Sequence, residues 1–215
     1  MNDDLLQTQY DVTKKSKYRI FYEKNKILII TTALIILISI GSTFLYLNLK
    51  EKKKMLLSEN YIAAIYHIKN KNKNQAKEVL EEIVYAEDKT YSVLSLFLII
   101  NENLINDKEK ISSLFNHILE NNNFDKEIEN LIVLKKAIFE SDYVDESELL
   151  ELTKPIINSD SLWKPHALLL LGNYYFFKDE HVKSRQMYNT ILTIKNLQQD
   201  IYNQTVSQLS LIANE

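Results

Sequence analysis

"ALLLLGNYYFF", residues 167–177, sets four leucines and four aromatic side chains around Gly172 and Asn173. A membrane span, a core helix and a recognition helix can all look like this. Length separates them. Only thirteen residues lie between Lys164 and Lys178. As a helix they would cover about 20 Å, short of the roughly 30 Å of a hydrocarbon core. Pro165, His166 and Asn173 also interrupt the apolar character. The stretch therefore reads as a packed helix. A glycine inside a helix costs ~1 kcal/mol relative to alanine, so close approach of a neighbouring helix is the expected compensation.

The neighbour follows at once. Residues 171–191 read "LGNYYFFKDEHVKSRQMYNTI", with Lys178, Asp179 and Glu180 as a polar turn. Leu171, Gly172 and Tyr175, then Ser184 and Tyr188, resemble the pattern of a tetratricopeptide repeat. The resemblance implies two helices touching at Gly172 and Ser184, with the aromatic rings filling the gap beside them. Asp179 stands where the family usually has Gly. Pro165 suits a first helical turn, where a missing N–H loses nothing.

The same hairpin is traceable upstream, more faintly. "YIAAIYHI", "NKNKN" and "QAKEVLEEIV" give helix, turn and helix, with Ala76, Leu80 and Ile83 in the places of Ser184, Tyr188 and Ile191. "VLSLFLIINENLINDKEKISSLFNHIL" repeats it with Ile111, Phe115 and Ile118. "EIENLIVLKKAIFESDYVDESELLELTKPI" supplies a third pair without the signature residues, and "QDIYNQTVSQLSLI" would cap the stack. One such unit cannot bury its apolar face alone, so one clear repeat implies neighbours. The rival architecture is a plain helical bundle.

Composition agrees with an all-α chain. Among 215 residues the only glycines are Gly41 and Gly172 and the only prolines Pro155 and Pro165, whereas a β-rich fold draws on both at its many turns. There is no cysteine, which excludes disulfides, thiolate metal sites and cysteine nucleophiles. The net charge of −3 argues against nucleic acid as a partner.

"ILIITTALIILISIGSTFLYLNL", residues 27–49, carries no charge over 23 positions. As a helix it reaches about 35 Å, enough to span a bilayer core. Lys24 and Lys26 bracket one end and Lys50, Lys52, Lys53 and Lys54 the other, with Tyr22 and Tyr46 near the two interfaces. Ser39 and Gly41 form a small-x-small pair, and residues 27–38 alone would serve as the apolar region of a cleaved signal peptide. Against cleavage, 26 residues precede the block and the apolar run continues through Phe44, Leu45, Tyr46 and Leu47. An uncleaved anchor is the expectation. Six Lys/Arg precede the block within fifteen residues and four follow it, a bias that favours a cytoplasmic N-terminus. The expected plan is thus a short basic cytoplasmic tail (1–26), a transmembrane helix (27–49), and a helical-repeat domain (50–215) of about four hairpins plus a C-terminal capping helix.

This plan resembles the single-pass inner-membrane family that includes the ancillary subunit of the bacterial Sec translocon, in its alphaproteobacterial form. "KYRIFYEKNKILII" is similar to that family's basic, aromatic lead into the anchor, and "WKPHALLLLGNYYF" to its Trp-x-Pro start of a Leu-Gly helix. The resemblance implies a periplasmic domain, and translocon subunits or periplasmic chaperones as partners. The chain departs from the family in its low Ala and Gly content and its richness in Asn, Lys and Ile.

Motifs that carry chemistry are scarce. His67, His117, His166 and His181 form no pair with metal-ligand spacing, and no P-loop, GxGxxG or GxSxG motif occurs. The acidic run "DYVDESELLE" (142–151) lacks the order of a calcium loop and reads as a charged helix start. No enzyme, cofactor or metal is expected. Tetratricopeptide stacks bind partners in the groove lined by their first helices, and His166, Leu169, Asn173, Phe176 and Phe177 would fall there by position. Asn173 matches the asparagine of carboxylate-clamp members, but Leu169 stands in place of the clamp lysine, which argues against a clamp. The expected role is a membrane-tethered protein scaffold, with an envelope assembly or division factor of the same build as its rival.

Overall fold

A computed structural model describes residues 17–213 of the chain, all nine regular elements among them being helices. The first part of the tail expected over 1–26 lies outside the described residues. The helices are α1 (Lys17–Lys69), α2 (Lys73–Val84), α3 (Tyr91–Asn101), α4 (Lys108–Asn121), α5 (Lys126–Glu140), α6 (Glu146–Ile157), α7 (Lys164–Phe177), α8 (His181–Leu192) and α9 (Gln199–Ala213). The chain divides into two units, Met1–Met55 and Leu56–Glu215.

In the first unit, α1 departs from helical geometry at Asn25 (φ −113°, ψ 17°), whose side-chain amide donates to the Phe21 carbonyl at 3.0 Å. Beyond it runs the uncharged stretch. It belongs to a helix long and apolar enough to cross a membrane, and none of its most apolar window is buried. Inside it Thr31, Thr32 and Thr43 return their hydroxyls to the carbonyls of Leu28, Leu28 and Ser39. Those polar atoms are therefore satisfied within the helix, as an apolar surrounding demands.

The second unit is a set of helices packed in chain order. Each helix from α2 onward touches the next, and α5 with α7 and α7 with α9 also meet. This is the pattern of helical hairpins stacked one on another. One apolar core joins Leu57 and Ala64 of α1 to Leu80, Leu96, Phe115 and Ile132. Others lie around Leu171 and Tyr175 and around Leu168, Tyr188 and Ile201. The spaced triplets Ala76, Leu80, Ile83 on α2, Ile111, Phe115, Ile118 on α4 and Ser184, Tyr188, Ile191 on α8 are all buried. A fully buried Leu, Ile or Phe contributes ~1.5–3 kcal/mol, so these recurring positions hold the hairpins closed.

Helix ends are managed without glycine. Lys71, Glu87, Asn103, Asp179 and Asn196 all adopt positive φ, from 49° to 63°. Three of them complete the same device. At the end of α1, Asn72 N–H bonds the His67 carbonyl and Lys71 N–H that of Ile68, both at 2.9 Å. Leu104 and Asn103 do this for Ile99 and Ile100 after α3, and Glu180 and Asp179 for Tyr175 and Phe176 after α7. These are Schellman motifs, which satisfy carbonyls the helix leaves orphaned. At the opposite ends, the Asp107 and Asp145 carboxylates accept from Lys110 and Glu148 backbone N–H at 2.9 Å, capping α4 and α6. Asp145 thus belongs to a helix start.

Candidate functional site

The α7–α8 hairpin is the most tightly keyed part of the second unit. Gly172 lies against the ring of Tyr188, so that an added Cβ would fall 2.7 Å from Cδ1 and 2.9 Å from Cζ. Ser184 Oγ donates to the Gly172 carbonyl at 2.8 Å, and Tyr188 OH donates to Asn173 Oδ1 at 2.7 Å. Leu171, Gly172, Tyr175, Ser184 and Tyr188 are all buried. Absence of a side chain at Gly172 and a short one at Ser184 bring the two backbones together, and the tyrosine ring fills the space beside them.

A second latch ties this hairpin to α6. Tyr175 OH donates to Glu146 Oε1 at 2.9 Å, and Lys183 Nζ reaches both oxygens of Glu146 at 2.8 and 3.1 Å. Lys183 also pairs with Glu180 at 2.6 Å. The hydrogen bonds from Lys183 and Tyr175 hold the Glu146 carboxyl below its ordinary value. Burial, and then the bond to Glu146, push the Tyr175 phenol up to about 12. Lys183 is raised by its bonds to both carboxylates.

The start of α7 is pinned to α5. Trp163 Nε1–H donates to the Glu127 carbonyl at 2.9 Å, while Ser161 Oγ and Leu162 N–H both donate to Glu127 Oε2 at 3.0 Å. These bonds fix one wall of a cleft of about 300 Å³ between the α6–α7 and α8–α9 connections. Asp160, Leu162, Lys164, Pro165 and His166 line that wall, and Ile194, Lys195, Asn196, Leu197, Gln198 and Ile201 the other. Leu162 is 75% exposed at the lip. The His166 ring lies tilted against that of Trp163, centroids 5.4 Å apart, and its Nδ1 is shielded from solvent with no hydrogen-bond partner. Burial lowers the imidazole pKa, Asp200 opposes that shift and Lys135 adds to it.

The five residues expected in a groove are not presented together. His166 lines the cleft. Leu169 is 7% exposed and packs with Ile201 and Ile212 of α9, while Phe176 is half-buried against the same cluster. Asn173 accepts the Tyr188 hydroxyl. Phe177 alone stands out, 82% exposed, with the comparably exposed Val182 across the turn. The cause is α9, which packs on both α7 and α8 and covers Leu169. Leu162, Lys164 and Lys195, which also line the cleft, were not among the residues the sequence pointed to. An apolar residue in the polar loop "NSDSLWK" was the signal available for Leu162. Among the described residues, no three His, Asp or Glu side chains gather as a metal site would require. Set against family models, curated proteins and solved structures, the chain matches none.

Proposed function

We propose that the chain is a non-enzymatic scaffold, tethered to the inner membrane by α1, whose helical domain recruits proteins near the secretion machinery on the periplasmic side. The observation that carries the reading is the unburied, uncharged segment of α1 in a chain whose later described helices stack as hairpins. A span of that length is stable in hydrocarbon because its backbone groups are satisfied internally. A stack of hairpins offers extended surface without needing a reactive centre. The tether's physical contribution is concentration: confining domain and partner to one surface makes even weak contacts productive. The translocon and its periplasmic folding factors enter through the resemblance of "KYRIFYEKNKILII" and "WKPHALLLLGNYYF" to the Sec-associated family.

Crosslinking in intact cells followed by co-purification tests this directly. Translocon subunits or periplasmic folding factors in the eluate are the expected result. Their absence, with division or envelope-assembly proteins in their place, replaces the translocon reading with its rival.

A further inference from the structure

The break in helical geometry at Asn25 divides α1 into a short leading segment, residues 17–24, and the long stretch that follows. The Asn25 side chain closes the break by donating to the Phe21 carbonyl. A sharp interruption of a helix has a local cause, and the composition changes across this one. Residues 17–26 hold four Lys/Arg and one carboxylate, whereas residues 27–49 hold no charge.

The leading segment carries three aromatic side chains that stand largely in solvent: Tyr18, Phe21 and Tyr22 are 89%, 64% and 48% exposed. At 3.6 residues per turn they share an arc of about 100°. By the same spacing Lys17 and Lys24 flank one edge of the arc and Arg19 the other, while Ile20 falls on the far side. Glu23, the single carboxylate, is paired with Arg19 at 3.4 Å. Rings bordered by cations on both sides match the boundary between acyl chains and anionic headgroups.

Place in the chain says what covers these rings. The uncharged stretch begins at Ile27. Continued upright, the helix would carry Tyr18 about 13 Å past the hydrocarbon edge, beyond the roughly 5–8 Å of headgroups on one side of a bilayer. Turned along the surface at Asn25, the same residues stay at headgroup depth.

We propose that residues 17–24 form an interfacial helix lying on the membrane that α1 crosses, with Tyr18, Phe21 and Tyr22 sunk to the base of the headgroups and Lys17, Arg19 and Lys24 against the phosphates of anionic lipids. Asn25 is the joint between the lying and the spanning segments. Interfacial aromatic and basic residues fix the tilt and rotation of a span, so the lying segment holds the anchor at one depth and one rotation. The assignment rests on the reading of α1 as an anchor.

The chain has no cysteine, so single nitroxide labels can be placed through Tyr18→Cys, Ile20→Cys and, in midspan, Leu37→Cys. Each full-length labelled chain is put into nanodiscs of mixed phosphatidylcholine and phosphatidylglycerol, and electron spin resonance reads the access of a water-soluble nickel chelate. At least two of the three rings remain in every variant to seat the helix. A lying helix shields the label at position 18 several-fold better than the label at position 20, which faces water. An upright helix reverses that order, because position 20 is nearer the hydrocarbon. Adding Lys17→Glu and Lys24→Glu to Tyr18→Cys should raise chelate access about threefold. Equal access at the two positions, the reversed order, or indifference to the two charge reversals each overturn the proposal. If the midspan label stays shielded in those cases, the lying helix falls and the anchor stands. Chelate access at midspan removes both.

Discussion

Ser184 Oγ donates a 2.8 Å hydrogen bond to the carbonyl of Gly172, across the interface between α7 and α8. A helix carbonyl is already engaged by its own helix, so this second bond requires the two backbones to lie unusually close. The closeness exists because Gly172 has no side chain and Tyr188 places its ring where a Cβ would otherwise be.

Gly172→Ala should therefore destabilise the domain even though alanine is the better helix former. Its methyl would press on a fully buried ring that cannot step aside. Overpacking of this kind costs ~1–3 kcal/mol, more than the ~1 kcal/mol gained in propensity. Urea denaturation should show the loss. Combining Gly172→Ala with Tyr188→Ala should cost clearly less than the sum of the two, since the collision needs both partners. Additive losses would show that the contact is not what makes glycine necessary.

That contact was legible in the sequence because its parts are local. Gly172, Ser184 and Tyr188 sit within 17 residues, and each identity answers a steric demand of helix against helix. The groove was less legible. Helical spacing gives the face on which Leu169 lies but not what covers that face, and α9, some thirty residues later in the chain, packs on it. The cleft was not legible at all. Its walls come from separate connections around Leu162 and Leu197, and one of them is tied down by Glu127, which lies 36 residues before Trp163. No local pattern encodes that meeting.

The positive-φ helix ends predict stabilisation by glycine. Left-handed backbone costs an L-residue with a Cβ ~1–2 kcal/mol, and Lys71 has no short polar side chain to offset it. Lys71→Gly should raise the urea midpoint by an amount equivalent to about 1 kcal/mol. Asp179→Gly should gain less, since aspartate tolerates this conformation better. Lys71→Ala keeps the Cβ and should gain nothing. A matching rise in the alanine variant would mean that the lysine side chain, not its backbone, was the burden.

The proposed anchor predicts how the chain partitions. Leu37 lies near the middle of the uncharged stretch and is 67% exposed in the protein alone. Leu37→Arg places a charge at the hydrocarbon centre, at an expected cost of ~2.5–3.5 kcal/mol on insertion scales. After alkaline extraction of membranes, the variant should move substantially to the soluble fraction, whereas Leu37→Ile should stay with the pellet. Retention of the arginine variant would argue that something other than this segment holds the chain.

The Glu146–Tyr175–Lys183 latch gives stability a dependence on pH at both extremes. Tyr175 is pushed up to about 12 in the folded protein, so the fold favours its neutral form. That contribution is complete below the ordinary tyrosine value near 10 and is lost as pH rises through the folded value. The Glu146 carboxyl is held below its ordinary value, so its contribution is complete above the ordinary carboxylate range and is lost as pH falls through the depressed value. Tyr175→Phe should remove part of the alkaline loss, seen as a shallower fall in urea midpoint between about pH 10 and 12. It should also delete the latest-titrating component of the near-ultraviolet tyrosinate absorbance. Glu146→Gln should flatten the acid limb and bring the Tyr175 titration down, because the carboxylate is one of the groups holding the phenol neutral. An alkaline limb unchanged in Tyr175→Phe would place the pH dependence on other tyrosines and dissolve the latch as its source.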